Sequence, residues 1–599
     1  RTEIDYRLLP NTNIAEYGLV SEVRLFDNGT NVLQKRSTTA YNLSNDYVSR
    51  RIIGLPSMVE NWGLNQATNS PEYVSKATFN YDEGDFNDST LEQNISLVIQ
   101  HDTANYGSGF ITGRGNLTSQ TRHDVTGQTA NVTSSTKYNI TGAPVAQIDP
   151  LGRTVKISYA DVFNDTPSNR NTFAYPTKLT DMAGNFSEVK YRYDIGANVW
   201  AKSPAPAGNT TGKETVREFD LIGRLQKETL VNTGAYTRYE YPTNNIQSKV
   251  FSTVIDTNNN GADSADEVYA ESWTDGGGRV RKARTEHPNS SGGWTGSLTE
   301  YDILGRVTRS TVPTEINASY EPAGDDATRG WLWKYQKYDW KGRVTRIINT
   351  DGTDSPTLND SDQLFSYEGC GCAGGQITTI QGELVPRDDQ SGNARRTQKV
   401  YQDILGRDYK TEVLNWDNSV YTTAVTKFNG RDQVLDTIQY AGTVSSSVFQ
   451  TTTATYDGHG RMKTRRLPQQ TANTVTNYNA DDSVSSVTDA RGAITNYDYN
   501  GRGLLEEISY EVPANSNIPV PSDVNFSYDA VGNRTQMTDG LGNVVYEYNQ
   551  LSQMTAETRQ FNDTLADAPL SNNKFKIQYT YHLGGSLKSV TDPYNVTIN

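Results

Sequence analysis

The chain has 599 residues, of which only 34% are hydrophobic while 10% are aromatic. So few apolar residues cannot fill one thick core at this length, and the aromatic content argues against disorder, so we expect a fold that is thin and extended. The 55 basic and 70 acidic residues give a net charge of −15, which repels phosphate and excludes nucleic acid as an expected partner.

Residues 1–127 contain short runs of alternating polar and β-branched or aromatic residues, separated by turn residues. The segments LFDNGTNVLQ, FNYDEGDF and GRGNLTS in this part are degenerate forms of a motif that becomes regular further along the chain. We therefore predict irregular β-hairpins over residues 1–127, continuous with a regular hairpin ribbon over residues 128–599.

One motif recurs through residues 128–599: an aromatic residue usually followed by Asp, two variable residues, a Gly, and then commonly Arg or Asn. The aromatic residue precedes the Gly by four positions in six strong copies, which is hard to produce by chance. The residues that define these copies are Phe219, Asp220, Gly223 and Arg224; Tyr301, Asp302, Gly305 and Arg306; Tyr338, Asp339, Gly342 and Arg343; Tyr456, Asp457, Gly460 and Arg461; Tyr497, Asp498, Gly501 and Arg502; and Tyr528, Asp529 and Gly532.

The copy at Tyr301 shows why the motif predicts a chain reversal. Gly305 can adopt a positive φ without steric cost, and Asp302 can accept backbone N–H groups as an Asx-turn residue. Arg306 lies within reach of Asp302 or of a carboxylate in an adjacent repeat. Tyr301 can cover the next hairpin while its hydroxyl still makes a hydrogen bond.

The repetition of this unit predicts the overall architecture. A single hairpin is marginal in water, so the hairpins must pair edge to edge. The right-handed twist of strands then bends the growing sheet. We predict an all-β fold in which consecutive antiparallel hairpins form a spiral ribbon, which makes a hollow shell or tube.

The segment DTNNNGADSADE, at residues 256–267, has the residue spacing of a calcium-binding loop. Its flanks have strand patterns, so we expect a Ca²⁺ staple at a hairpin tip and not a switching pair of helices. The alternative is an Asn- and Asp-rich turn that binds nothing. The expected ligands are Asp256, Asn258, Asn260, the carbonyl of Ala262, Ser264 and a bidentate Glu267.

The two cysteines, Cys370 and Cys372, lie in the segment EGCGCAGG. No second Cys or His pair lies nearby in sequence to complete a zinc site. A tight Gly-rich turn, with two thiols or a local disulfide, is the simpler interpretation, and a redox pair is the alternative.

These repeats resemble the tyrosine-aspartate (YD) repeat family, which includes bacterial rearrangement-hotspot (Rhs) proteins, shell components of insecticidal Tc toxins and the YD shell of teneurins. The resemblance implies a β-ribbon shell that in several members encloses a toxic domain. Self-cleavage in those members uses a DPxGL segment, and the nearest strings in this chain are DPLGR from Asp149 and DPYNV from Asp592. Release of a cargo by self-cleavage is therefore not expected of this chain.

No motif of a catalytic site is evident: the sequence has no G-x-S-x-G nucleophile elbow, no phosphate-binding Gly-rich loop and no H-E-x-x-H segment. We expect a non-catalytic bacterial scaffold, extracellular or on the cell surface, without membrane insertion, that forms a shell, tube or filament and associates with itself or with other surface proteins. Two alternatives stay open. One is the encapsulating shell of a larger polymorphic toxin with an enclosed cargo domain, and the other is an adhesin that binds glycans through residues such as Trp331 and Trp333.

Overall fold

The chain is almost wholly antiparallel β-structure in a computed structural model, which confirms the predicted fold class. The structure describes residues 1–599 except 11–14, 28, 96–97, 162–171, 243–245, 350–360, 370–374, 388–391, 515 and 564–567. In the described part of the chain, helix is confined to α1 (Asn45–Val48), α2 (Thr103–Tyr106) and 3-10 turns at Ser264–Asp266 and Gly324–Asp326. Within the described residues, no helix has the length and apolar character needed to cross a bilayer.

The strands are short and follow one another closely along the chain. In the first half they are β1 (Thr2–Leu8), β2 (Ala15–Phe26), β3 (Leu33–Tyr41), β4 (Pro56–Asn65), β5 (Ser70–Tyr81), β6 (Leu117–His123), β7 (Val132–Tyr138), β8 (Pro144–Ile148), β9 (Thr154–Ser158), β10 (Lys178–Thr180), β11 (Phe186–Arg192), β12 (Ala197–Lys202), β13 (Glu214–Phe219), β14 (Leu225–Leu230), β15 (Tyr236–Glu240), β16 (Gln247–Thr253), β17 (Glu267–Thr274), β18 (Val280–Glu286), β19 (Trp294–Tyr301), β20 (Val307–Thr311) and β21 (Thr314–Ile316). In the second half they are β22 (Trp333–Tyr338), β23 (Val344–Ile348), β24 (Asp362–Glu368), β25 (Gln376–Pro386), β26 (Asn393–Gln402), β27 (Asp408–Leu414), β28 (Val420–Phe428), β29 (Val434–Ala441), β30 (Phe449–Tyr456), β31 (Met462–Arg466), β32 (Thr474–Tyr478), β33 (Val484–Thr488), β34 (Ile494–Tyr499), β35 (Leu505–Glu511), β36 (Val524–Tyr528), β37 (Arg534–Asp539), β38 (Gly542–Tyr548), β39 (Met554–Phe561), β40 (Lys574–Tyr581), β41 (Leu587–Thr591) and β42 (Thr597–Ile598).

These strands pair in sequence order, each with the strand before it and the strand after it. The β6 strand pairs with both β5 and β7, so the ladder runs without a break across residue 127. The one departure is at β19, whose residues Trp294–Gly296 pair with β21 while Thr299–Tyr301 pair with β20. Because β20 then pairs with β22, the ladder continues past this branch. The result is a ribbon built from local pairings.

The two edges of the ribbon carry the chain reversals, because consecutive reversals of an antiparallel ladder lie on opposite sides. We call these sides edge 1 and edge 2. Edge 1 carries the turns at 139–143, 193–196, 220–224, 275–279, 302–306, 339–343, 403–407, 429–433, 457–461, 479–483, 500–504, 529–533, 549–553 and 582–586. Edge 2 carries those at 66–69, 124–131, 149–153, 181–185, 203–213, 231–235, 254–266, 287–293, 415–419, 442–448, 489–493, 540–541 and 592–596.

Few side chains are deeply buried, as the low apolar content predicts. One small cluster joins Phe86, Ile95 and Ile140 where the loop of residues 82–116 folds over edge 1. Arg114 fixes this loop by donating to the carbonyl of Ile140 at 2.6 Å. Most other side chains of the ribbon are half-buried, so hydrogen bonds and ring contacts between neighbouring strands contribute much of its stability.

Candidate functional site: the repeated turn and the seam between windings

The turn at Asp302 to Arg306 shows the geometry that recurs along edge 1. The N–H of Gly305 donates to the carbonyl of Asp302 at 3.0 Å, and the N–H of Asp302 donates to the carbonyl of Arg306 at 2.9 Å. Gly305 has a φ of +84°, in the left-handed region. A register shift at Tyr301 completes a tight turn with a bulge, which is a common hairpin connection.

The carboxylate of Asp302 holds this turn together. One of its oxygens accepts the N–H groups of Leu304 and Arg306, both at 2.9 Å, and the other accepts Nε of Arg306 at 2.7 Å. The backbone N–H and then the guanidinium of Arg306 hold the pKa of Asp302 below its usual range. The Asp and the Arg of the motif therefore stabilise the turn to which they belong.

Most of the residues that define the motif occupy these same places. The glycines at the left-handed position are Gly223 (+86°), Gly342 (+83°), Gly460 (+86°) and Gly532 (+103°). The acidic residues that accept the N–H groups two and four residues later are Asp220, Asp339, Asp457 and Asp529. Their partners, Arg224, Arg343 and Arg461, donate Nε to the same carboxylates.

The prediction for the copy at Tyr497 is wrong by two residues. Tyr497 and Asp498 lie inside β34, and the turn is formed by residues 500–504, where the N–H of Gly503 donates to the carbonyl of Asn500. The left-handed residue there is Gly503, with φ +76°, and not Gly501. Tyr497 precedes Gly501 by four positions, and Tyr499 precedes Gly503 by four positions, so the motif alone does not choose between the two turns.

The six strong copies of the motif leave out turns whose left-handed residue is not glycine. This position is held by Asn418 (+65°), Asp432 (+68°), Asp482 (+70°), Ser552 (+62°) and Asn595 (+65°). Asn and Asp tolerate this region better than other residues with a side chain. At Asp432, Ser552 and Asn595 the Asn or Asp three positions earlier caps the turn as Asp302 does. At Asn418 and Asp482 the Asp one position earlier accepts the N–H of the following Ser instead.

Neighbouring tips on edge 1 are joined by a Tyr and an Arg. The hydroxyl of Tyr338 donates to the carbonyl of Val307 at 2.8 Å, and the guanidinium of Arg306 lies 4.6 Å from the centre of the Tyr338 ring. The contact predicted between Tyr301 and the next hairpin is therefore wrong in direction, because its hydroxyl reaches back to Val280. The same bond joins Tyr241 to Leu225, Tyr367 to Val344, Tyr456 to Val434, Tyr478 to Met462, Tyr528 to Leu505, Tyr548 to Arg534 and Tyr581 to Met554.

A second contact surface arises where the ribbon meets itself, because edge 2 of residues 35–254 lies against edge 1 of residues 403–584. We call this surface the seam. Its side-chain hydrogen bonds join residues that are 318 to 397 positions apart, which is the length of one winding of the spiral. From Asp124 onward, the residue numbers along edge 2 and along edge 1 increase together from one contact to the next. The pairs along the seam are Lys35 with Asp432, Gln66 with Asp403, Arg122 with Asp482, Arg153 with Asp481, Asp181 with Arg502, Ala207 with Asp529, Asn209 with Tyr548, Asn232 with Gln550 and Val254 with Gly584.

The seam combines backbone hydrogen bonds with ion pairs. The N–H of Gln66 donates to the carbonyl of Phe428 at 2.9 Å, and Arg122 donates two hydrogen bonds to Asp482 at 2.9 and 2.6 Å. Burial opposes the charged form of Asp482, but the hydrogen bonds from Arg122 and Arg461 outweigh it and hold the pKa of Asp482 below its usual range. Acidic residues of one winding are thus neutralised by basic residues of the other.

Two glycines let the windings approach each other at backbone distance. A Cβ on Gly430 would lie 2.7 Å from the carbonyl oxygen of Gly63, and a Cβ on Gly63 would lie 2.0 Å from the carbonyl oxygen of Gly430. At Gly458, in the same turn position as Gly430, a Cβ would lie 1.4 Å from a carboxylate oxygen of Asp124. These glycines are required by the neighbouring winding, since their φ values are not in the left-handed region.

A cleft of ≈ 760 Å³ opens beside the seam, lined among others by residues Arg153, Asp181, Asp481 and Arg502. Its carboxylates are already paired, Asp481 with Arg153 and Asp181 with Arg502. The cleft is therefore a consequence of how the windings meet, and its charged groups serve their contact.

The acidic side chains of the loop at residues 256–267, predicted to bind calcium, make hydrogen bonds to protein groups in this structure. Glu267 accepts from the hydroxyl of Tyr236 and from Nε and Nη2 of Arg238, each at 2.7 Å. The guanidinium of Arg238 holds the pKa of Glu267 below its usual range. Asp256 instead accepts the N–H groups of Asn260 and Gly261, and in the part of the chain that the structure describes no three His, Cys, Asp or Glu residues are arranged to hold a metal.

Trp333 and His459 are buried in the structure, and the two cysteines lie outside the residues that it describes. Trp333 is buried, with the guanidinium of Arg309 at 4.0 Å from its ring centre, so it does not form a surface platform for sugars. His459 is also buried and contacts the carbonyl of Ala130 across the seam at 3.0 Å. The pair of cysteines lies in residues 370–374, outside the described residues.

The solved structures that match this chain have low similarity to it. No family model and no curated protein matches the chain. Among solved structures it is similar to the TcdB2-TccC3 crystal structure, with a TM-score of 0.39 and 12% identity, covering 100% of this chain and 43% of that chain. It is also similar to the Photorhabdus luminescens Tc holotoxin pore, with a TM-score of 0.37, 12% identity and coverage of 100% and 33%, and to TcdB2-TccC3-TEV, with 0.35, 13%, and 97% and 34%. The chain thus spans less than half of each of these proteins.

Proposed function

We propose that this chain is a non-catalytic structural scaffold, extracellular or on the cell surface, whose spiral ribbon forms the wall of a shell or tube. The observation that carries the proposal is the seam, because a ribbon that contacts itself after one winding makes a wall that surrounds a space. The carboxylates of the repeat support the non-catalytic role, since those of Asp302 and Asp339 are each held by backbone N–H groups and by an Arg of the same turn.

Small-angle X-ray scattering of the purified chain, with electron microscopy, tests this proposal. A compact domain of this length has a radius of gyration of about 25 Å. A wall around a space places mass away from the centre, so we expect a larger radius and particles with low central density. A radius near the compact value, with density at the centre, would contradict the proposal.

A second candidate is the encapsulating shell of a larger toxin that encloses a cargo domain. The resemblance of the repeated turn to YD-repeat shells favours it. The reading frame around this segment tests it: a DPxGL segment followed by an unrelated domain would support this function. A continuation that contains neither would contradict it.

Calcium binding by residues 256–267 stays a prediction, and the hydrogen bonds of Glu267 make it a demanding one. A bidentate Glu267 would have to release Arg238 and Tyr236. Calorimetric titration of the wild type against Asp256→Asn checks the prediction. Binding predicts heat that the variant loses, whereas no heat at ~1 mM calcium would remove this site.

A further inference from the structure

The chain contains the pentapeptide Asp-Ile-Leu-Gly-Arg twice on edge 1, once at 302–306 and once at 403–407. The two turns have the same backbone hydrogen bonds and the same pairing of Asp with Arg. They differ in their surroundings. Ile303 and Leu304 are 100% and 73% exposed, whereas Ile404 and Leu405 are half-buried.

The second copy is covered because it lies at the seam. The carboxylate of Asp403 accepts a hydrogen bond from Gln66 of the other winding at 3.2 Å. The pentapeptide has the same conformation in both copies. It is half-buried at 403–407, where edge 2 of another winding lies against it, and exposed at 302–306, where the described residues place no winding. The exposure of Ile303 and Leu304 therefore marks a turn of edge 1 that has the same contact chemistry and that no other winding among the described residues covers.

Exposed apolar tips recur on edge 1 in the described turns at 220–224 and 339–343. Leu221 is 95% exposed, Ile222 is 74% exposed, and Trp340 is 88% exposed. These residues occupy the two central positions of their turns, as Ile303 and Leu304 do. Large apolar side chains presented in a row on one edge mark an interaction surface.

Edge 2 of the second half of the chain also exposes large apolar side chains at two of its described turns. Val444, Val448 and Phe449 are 53%, 66% and 56% exposed around the turn at 442–448, and Tyr594 and Val596 are 57% and 58% exposed in the turn at 592–596. Within the chain, edge 2 of the first half already binds edge 1 of the second half. The exposed turns of edge 1 in the first half and of edge 2 in the second half are therefore the complementary pair among the described residues.

We propose that the edge 1 turns at 220–224, 302–306 and 339–343 bind the edge 2 turns at 442–448 and 592–596 of a second copy of this chain. The contact repeats between copies the geometry that the seam has within one copy, so the spiral continues from one chain to the next. An interface between two different surfaces adds subunits head to tail and does not close into a symmetric dimer. This extends the proposed scaffold function by naming its partner.

Sedimentation velocity of the full chain over a range of concentrations tests the proposal with variants of each edge. The edge 1 variant carries Ile303→Asp and Leu304→Asp, and the edge 2 variant carries Val448→Asp and Phe449→Asp. We expect the wild type to form species larger than a dimer as concentration rises, and each variant alone to lose this association. An equimolar mixture of the two variants should form a dimer and stop there, because it contains one intact interface.

Ile111→Asp is the control, since Ile111 is an apolar loop residue that is 44% exposed and lies outside the seam and outside both proposed surfaces. This variant should associate like the wild type. Circular dichroism of every variant checks that the fold is intact. Wild-type chain that stays monomeric, association that neither edge variant changes, or a mixture that does not form the dimer would each overturn the proposal. A monomer that still scatters as a hollow particle would overturn it and leave the scaffold function standing.

Discussion

Adding one methyl group at Gly430 should loosen the seam, and adding one at Gly276 should not. Both glycines hold the second position of a turn on edge 1, and neither has a left-handed φ. A Cβ at Gly430 meets the backbone oxygen of Gly63 and a methyl of Val74, both at 2.7 Å, whereas a Cβ at Gly276 meets no atom within 4 Å. Only Gly430→Ala therefore forces two windings apart.

Overpacking of this kind costs about 1–3 kcal/mol, which corresponds to a roughly 5- to 150-fold increase in the population of the opened seam. Hydrogen exchange of the Gln66 amide reports this opening, because that N–H donates to Phe428 across the seam. We expect exchange at Gln66 to accelerate by this factor in Gly430→Ala. Gly276→Ala should stay within about 0.5 kcal/mol of the wild type. Equal exchange rates in the two variants would refute the reasoning.

Three further predictions concern the repeated turn. Gly305→Val should lower the free energy of unfolding by about 1–2 kcal/mol because φ is positive there, and Gly305→Asn should lower it less; urea titration of both variants compares them, and equal losses would contradict the left-handed requirement. Tyr338→Phe should cost about 0.5–1.5 kcal/mol in the same assay, because the carbonyl of Val307 loses its donor, and an unchanged midpoint would contradict this linkage. Because hydrogen bonds from Arg306 depress the pKa of Asp302, its contribution to stability is present above the unfolded-state pKa of about 4 and is lost as the pH falls through the folded-state value, so urea midpoints should drop on acidification. A midpoint independent of pH between 5 and 2 would contradict that sign.

The sequence predicts the hairpin ribbon well because its information is local. An aromatic residue, an Asp and a Gly at fixed spacing determine one turn, and each strand then pairs with its neighbour in the chain. The register at Tyr497 could not be predicted, because Tyr497 and Tyr499 each precede a glycine by four positions. The pairing of Tyr499 with Leu505 across the ladder decides between them.

The seam lies beyond local prediction for a different reason. Whether Gly63 meets Gly430 depends on the twist accumulated over more than three hundred residues, and a small error per strand displaces the contact completely. The local pattern of the acidic loop at residues 256–267 also leaves out a contact from another strand. Its spacing matches a calcium loop, but Arg238, contributed by another strand, binds Glu267.

Zero-length carbodiimide coupling of the purified monomer, followed by mass spectrometry, tests most directly whether the ribbon winds back onto itself. Lys35 and Asp432 form an ion pair 397 residues apart, and both side chains are 37% exposed, so the reagent can reach them. Lys576 and Glu547, a pair at 2.9 Å within neighbouring hairpins, provide the positive control. A spiral ribbon predicts an intramolecular amide bond between Lys35 and Asp432. Coupling of Lys576 to Glu547 without any coupling of Lys35 to Asp432 would contradict it.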